Sequence, residues 1–288
     1  MGPLTGIKVV DFTLAHAGSM TAMLLADYGA EVIKIEKTKI GELARTWAPY
    51  DEKGNRGKRD LCIDCRSPEG KEIIKKLVAE ADVVTENFKF GSMDRMGLGY
   101  DVLKEINPKL VYASLNGFGQ TGPRKNVIGL DLHLQSMGGI IDGTGYPGKF
   151  PTRMGAALSD QISGVYMAIA IMTALEAVKK TGKGQRIDIG ILDCVFSMVE
   201  GSVVAYTLNG ERISRNGNNY PSISPTIPSR PRTATSPSPP ALTASGPSSA
   251  RPSAWSSTSP IPATPPTRPG ATTTTAASGM RSRPAPAR

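Results

Sequence analysis

The chain has 288 residues, of which 39% are hydrophobic, enough for one large or two ordinary domains with a real core, so a globular protein is expected. The formal charge of +9 would suit nucleic acid or an acidic surface, but seven arginines lie between Thr226 and Arg288, and without them the remainder carries about +2. Scattered Lys and Arg do not make the continuous basic stripe that a phosphate backbone needs, so a small anionic ligand is favoured and neither a nucleic-acid nor a membrane partner is expected.

The first half alternates β-branched runs with helical patterns. IKVVDF (7–12) reads as a strand, AGSMTAMLLADYGA (17–30) as a helix and EVIKIE (31–36) as a second strand, which makes a βαβ unit. Ser67 and Pro68 open the next helix, through KEIIKKLVAEA (71–81), because Pro is tolerated in a first turn. DVVTENF (82–88) and LVYASLNGFG (110–119) read as further strands. Parallel strands need long crossovers, so this alternation predicts an open α/β fold: a mostly parallel, Rossmann-like sheet with helices on both faces. Residues 161–178 read as an apolar helix closing at Lys179, Lys180 and Gly182, and GKGQRIDIGILD (182–193) as a turn, a strand and the entry to another helix.

The pattern fades between residues 215 and 225. From Thr226 to Arg288 there is no Asp, Glu or Lys, and Pro, Ser, Thr, Ala and Arg dominate. Such a segment cannot bury enough apolar surface to offset its ordering entropy, so the chain divides into a folded portion, 1–225, and a disordered tail, 226–288. The tail's composition is that of a GC-rich gene read out of frame. A chain ending in such a tail is expected to be a poor catalyst even with its nucleophile present.

Cys62, Cys65 and Cys194 are an odd number of cysteines, with no signal peptide and no long apolar span, which points to a reduced, cytoplasmic protein. Cys62 and Cys65 have CxxC spacing, but no second pair completes a zinc site, and residues three apart on a strand face opposite sides; no metal is expected. His16 and His133 are the only histidines, and neither has a nucleophile motif beside it. No GxGxxG follows the first strand and no GxxxxGK[ST] occurs, so the dinucleotide and P-loop cradles are absent.

Asp160 stands out, a lone carboxylate before an apolar helix and among Gly155, Ala156, Ala157 and Gly164. It reads as an N-cap, as an ionised nucleophile at a positive helix end with small residues admitting substrate, or as both.

Four stretches, 4–36, 67–88, 107–123 and 158–189, resemble in order and spacing the family III CoA-transferases, also called the CaiB/BaiF family and including formyl-CoA and carnitine-type enzymes. The resemblance implies transfer of coenzyme A from an acyl-CoA donor to a free carboxylic acid, with no permanently bound cofactor and a threaded homodimer. It makes Asp160 the catalytic nucleophile, passing through an aspartyl anhydride and an aspartyl-CoA thioester. It places coenzyme contacts at His16, Ala17, Lys37, Ile63, Arg66, Asn87, Phe88 and Arg95. The chain departs from the pattern at His16, where some members carry Gln, at Lys37, where Arg is usual, and at Lys89-Phe90, where many have Arg-Pro. A racemase of the same superfamily would need a His where Leu130 stands, with His133 three residues away. A non-catalytic coenzyme-binding fragment is the alternative of another class.

Overall fold

The computed structural model describes residues 2–47 and 54–219, all within the first of two compact units, Met1–Arg230. The tail expected from Thr226 lies outside the described residues. Six strands, β1 (Lys8–Asp11), β2 (Glu31–Glu36), β3 (Lys58–Cys62), β4 (Val83–Glu86), β5 (Val111–Asn116) and β6 (Gln185–Gly190), form one sheet in the order β3-β2-β1-β4-β5-β6. Every neighbouring pair is parallel, with Val9 opposite Val32 on one side and Val83 on the other. This is the doubly wound order, which reverses direction between β1 and β4 and leaves a crevice at their carboxyl ends.

Period-two alternation sorts the strand residues onto two cores. Val9, Val32, Val83, Val111, Ala113 and Leu115 face one layer, made by helices α1 (Ala17–Asp27), α7 (Leu158–Thr181) and α8 (Ile191–Ser197). Val10, Ile35, Val84 and Tyr112 face the other, against α2 (Pro68–Ala79) and α4 (Tyr100–Ile106). Short helices α3 (Ser92–Arg95), α5 (Asp131–Met137) and α6 (Ile140–Gly143) sit in the connections, and α9 (Glu200–Asn209) has no buried residue.

The local signals act as their chemistry requires. Ser67 Oγ accepts the Gly70 N–H at 2.9 Å, a cap that contributes about 1 kcal/mol, and Pro68 occupies the first turn of α2. Gly182 ends α7 at φ 70°, a left-handed conformation that a Cβ would strain. Helix α7 is longer than 161–178 and does have the length and hydropathy of a membrane span, which the sequence reading did not register. Its apolar residues have another use: Met167, Ile171 and Ala174 are buried in the core beneath the sheet.

Candidate active site

The β1 end of the crevice rests on buried charge. Lys34 of β2 is 1% exposed; its Nζ lies 2.9 Å from Glu42 and 3.7 Å from Asp11, and donates to the Thr13 carbonyl at 2.7 Å. Lys58 of β3 reaches the same Asp11 oxygen, Oδ2, at 2.9 Å. Asp11 also accepts from the Thr13 N–H and the Thr13 and Thr85 hydroxyls. Burial alone would raise the Asp11 pKa, but the two ammonium groups and these donors overcome it and hold the carboxyl at about 2. Burial pulls Lys58 down in turn.

This network fixes the loop after β1. Ala15, at φ 60°, adopts a conformation that is strained for a residue with a Cβ, and its N–H donates to Glu42 at 2.8 Å. Asn87, just beyond β4, clamps Leu14 from both directions, accepting its N–H at 2.7 Å and donating to its carbonyl at 2.8 Å. The loops after β1 and β4 thus form one wall.

The opposite wall is positioned by α7, which lies close on α1. A Cβ at Gly164 would come within 2.8 Å of the Ala17 carbonyl, and Thr21 donates to the Gly164 carbonyl at 3.0 Å. Gly164 therefore serves helix packing and not, as its place in the small-residue cluster suggested, substrate approach. Asp160 sits in the first turn of α7, two residues inside the helix, whose N-cap is Ala157. The N-cap reading of Asp160 is corrected: Asp131, on α5, accepts both the Ser159 N–H at 3.0 Å and the Ser159 hydroxyl, satisfying the helix end from across the site. Buried Gln135 donates to Asp131 and to the Ala156 carbonyl and accepts the Met154 N–H, which ties down the approach to the helix.

Freed from capping, the Asp160 carboxylate has no hydrogen bond or ion pair among the described residues. Burial, and after it the Asp131 charge, push its pKa up to about 6. This reverses the direction expected from a positive helix end alone, because removal from water and a like charge outweigh the helix dipole. At neutral pH the group is still ionised and is more basic than an ordinary carboxylate.

Asp160 and four of the eight residues expected to contact coenzyme, His16, Ala17, Asn87 and Phe88, line one cleft of about 250 Å³ at the crevice. Arg66 and Arg95 line a second cleft of about 300 Å³, joined there by Lys71 and Ser92. Lys37 is exposed after β2, and Ile63 packs on the second core; neither lines these two clefts. Residues 127–130, Lys125, Asn116 and Asp131 also line the Asp160 cleft and were not anticipated. Cys62 is exposed, Cys65 half-buried and Cys194 buried, all as free thiols. Glu36, Asp60 and Cys62 are near enough to share a cation, but Glu36 is already engaged by Arg45 and the Glu42 N–H.

A doubly wound sheet with a carboxylate of raised pKa in the crevice at its switch point, and no dinucleotide fingerprint after β1, defines an α/β protein with a ligand cleft outside the carboxyl ends of its strands. The sequence profile of CoA-transferase family III matches residues 4–228, and the chain belongs to that family. It is 38% identical over 237 residues to the succinate–glutarate CoA-transferase of Agrobacterium fabrum, covering 77% of this chain and 59% of that protein. Identity to the acetyl-CoA:oxalate CoA-transferase of Acetobacter aceti is also 38%, over 78% of this chain and 60% of that one. The crystal structure of a CaiB/BaiF family protein from Brucella suis superposes with a TM-score of 0.75 at 43% identity, covering 78% of this chain and 62% of the other. The chain thus spans about three fifths of the length of these relatives.

Proposed function

We propose that this chain carries the nucleophile-bearing portion of an enzyme that moves coenzyme A from an acyl-CoA to a free carboxylic acid. The observation that carries the reading is the Asp160 carboxylate: unpaired, raised to about 6, and facing a cleft between the loops after β1 and β4 in a chain of this family. The similar proteins named for succinate, glutarate and oxalate support a small acid as acceptor.

In this mechanism an Asp160 oxygen attacks the thioester carbonyl carbon. The C–S bond breaks, CoA leaves as thiolate, and the acyl group is left joined to Asp160 as a mixed anhydride. The thiolate then attacks the aspartyl carbonyl of that anhydride, releasing the donor acid and forming an aspartyl-CoA thioester. The acceptor carboxylate attacks the same carbonyl and expels thiolate, which returns to the acceptor's acyl carbon and frees Asp160. Asp131 and Gln135 hold the first turn of α7 in place, and the Asn87 clamp fixes the facing wall. Arg66, Lys71 and Arg95, about a separate cleft, suit the coenzyme phosphates.

The test is chemical trapping. Wild-type protein incubated with an acyl-CoA and hydroxylamine should yield a hydroxamate at residue 160 by mass spectrometry, a reading of the first step that does not need full turnover, and Asp160→Ala should lose that label while still binding CoA. A hydroxamate at another carboxylate would overturn the assignment.

A further inference from the structure

Asn116 is the last residue of β5 and lines the same cleft as Asp160. Its Nδ2 and Oδ1 are both buried, and neither has a hydrogen-bond partner among the described residues. Asn87 and Asp131, which line the same cleft, are turned to Leu14 and Ser159, and the Asp160 carboxylate there is unpaired as well. A primary amide removed from water with donor and acceptor both unused is a cost to the fold, and such groups in a cleft are explained by what binds there. The complement of that amide is defined by its chemistry. A carboxylate or an isolated carbonyl offers acceptors only and would leave Oδ1 unpaired, whereas two successive trans secondary amides along an extended arm can offer the N–H of one and the C=O of the next on the same side.

We propose that Asn116 binds the pantetheine arm of the incoming thioester between its two secondary amides, Nδ2 donating to the carbonyl of one and Oδ1 accepting the N–H of the other. This rests on the coenzyme reading above and adds a substrate contact outside the eight positions that the family resemblance implies. The arm is thereby held at a fixed depth, which sets how far the thioester carbon reaches toward Asp160. Because the contact is made by the arm, it is independent of the acyl group and of the phosphates.

The experiment is calorimetric titration of the full chain with two probes, CoA and adenosine 3′,5′-bisphosphate, which carries the nucleotide phosphates and no arm. Asn116→Ala should weaken CoA about tenfold and leave the bisphosphate unchanged. Asn116→Leu, which fills the space without polar atoms, should bind CoA as weakly and should raise the melting temperature of the ligand-free protein by about 2–4 °C, since the fold no longer buries an unpaired amide. Unchanged CoA affinity in Asn116→Ala, equal weakening of both probes, or a lower melting temperature in Asn116→Leu would overturn the inference. A wild-type chain that binds the bisphosphate but not CoA would overturn it too, and one that binds neither would remove the coenzyme reading with it.

Discussion

The two walls of the crevice treat polar groups in opposite ways. Under the loop after β1, Asp11, Lys34, Lys58 and Glu42 are buried as deeply as any core valine, and every one of them meets an opposite charge. Across the cleft, Asp160 has no partner and faces a like charge, and Asn116 uses neither end of its amide. Paired buried charge makes a rigid support whose removal is costly; unpaired polar groups make a surface that is less stable alone and gains from a ligand. The first wall is scaffold and the second is the reacting side.

The largest expected effect comes from breaking the scaffold. Lys34→Met should destabilise the protein by about 3–5 kcal/mol, because Glu42 loses the ammonium that touches it among the described residues and Asp11 keeps one of two. Urea unfolding followed by circular dichroism measures it. A loss below about 1 kcal/mol would mean that the network is not what holds this wall.

An intermediate effect of opposite sign is expected on the reacting side. Asp160→Asn should stabilise the protein by about 3 kcal/mol at pH 7.5 and by only about 0.5 kcal/mol at pH 4. The folded pKa of Asp160, about 6, lies above the ordinary aspartate value of 3.8. Below pH 4 the carboxyl is protonated both folded and unfolded and resembles the amide. As pH rises from 4 to 6 the unfolded chain releases its proton first, so wild-type stability falls, and above about 6 the full cost of the buried charge is present. Melting temperatures of both proteins between pH 4 and 8 should therefore converge at the acid end. A gap of equal size at every pH would show that packing, not charge, separates them.

What the sequence revealed follows the same division. Five of the six strands and the caps at Ser67 and Gly182 were legible because each depends on neighbours within a few residues, whereas β3, the charged edge strand KRDLC, has no apolar alternation to mark it. Asp160 was conspicuous as a lone acid before an apolar helix, but its task was ambiguous, since the carboxylate that relieves it of capping, Asp131, bonds to Ser159 from 28 residues earlier in the chain. Lys34 was read only as part of EVIKIE; its partners stand on the adjacent strand and in the following loop, and only folding brings them together. Asn116 was hidden for another reason: an amide inside LVYASLNGFG shows nothing unusual until its two polar atoms are found buried with no partner among the described residues. The one local sign of the support was charge at Asp11, Lys34 and Glu36 inside otherwise apolar strands.

The smallest effect concerns the like charge itself and separates its two roles. Asp131 both anchors Ser159 and raises the pKa of Asp160. Asp131→Asn removes the charge but keeps an oxygen able to accept the Ser159 N–H; Asp131→Ala removes both. The acid limb of the pH profile for acylation of Asp160 should move down by ~0.5 unit in each variant, because burial, the larger cause, remains. Stability should divide them: the alanine variant loses an additional ~1 kcal/mol with its helix anchor, while the asparagine variant gives up chiefly the bond from Gln135, whose amide cannot turn without releasing Ala156 and Met154. Single-turnover acylation between pH 5 and 8, with thermal melts of the same samples, reads both quantities. An acid limb that stays in place in both variants would confine Asp131 to anchoring and leave burial alone to account for the basicity of Asp160.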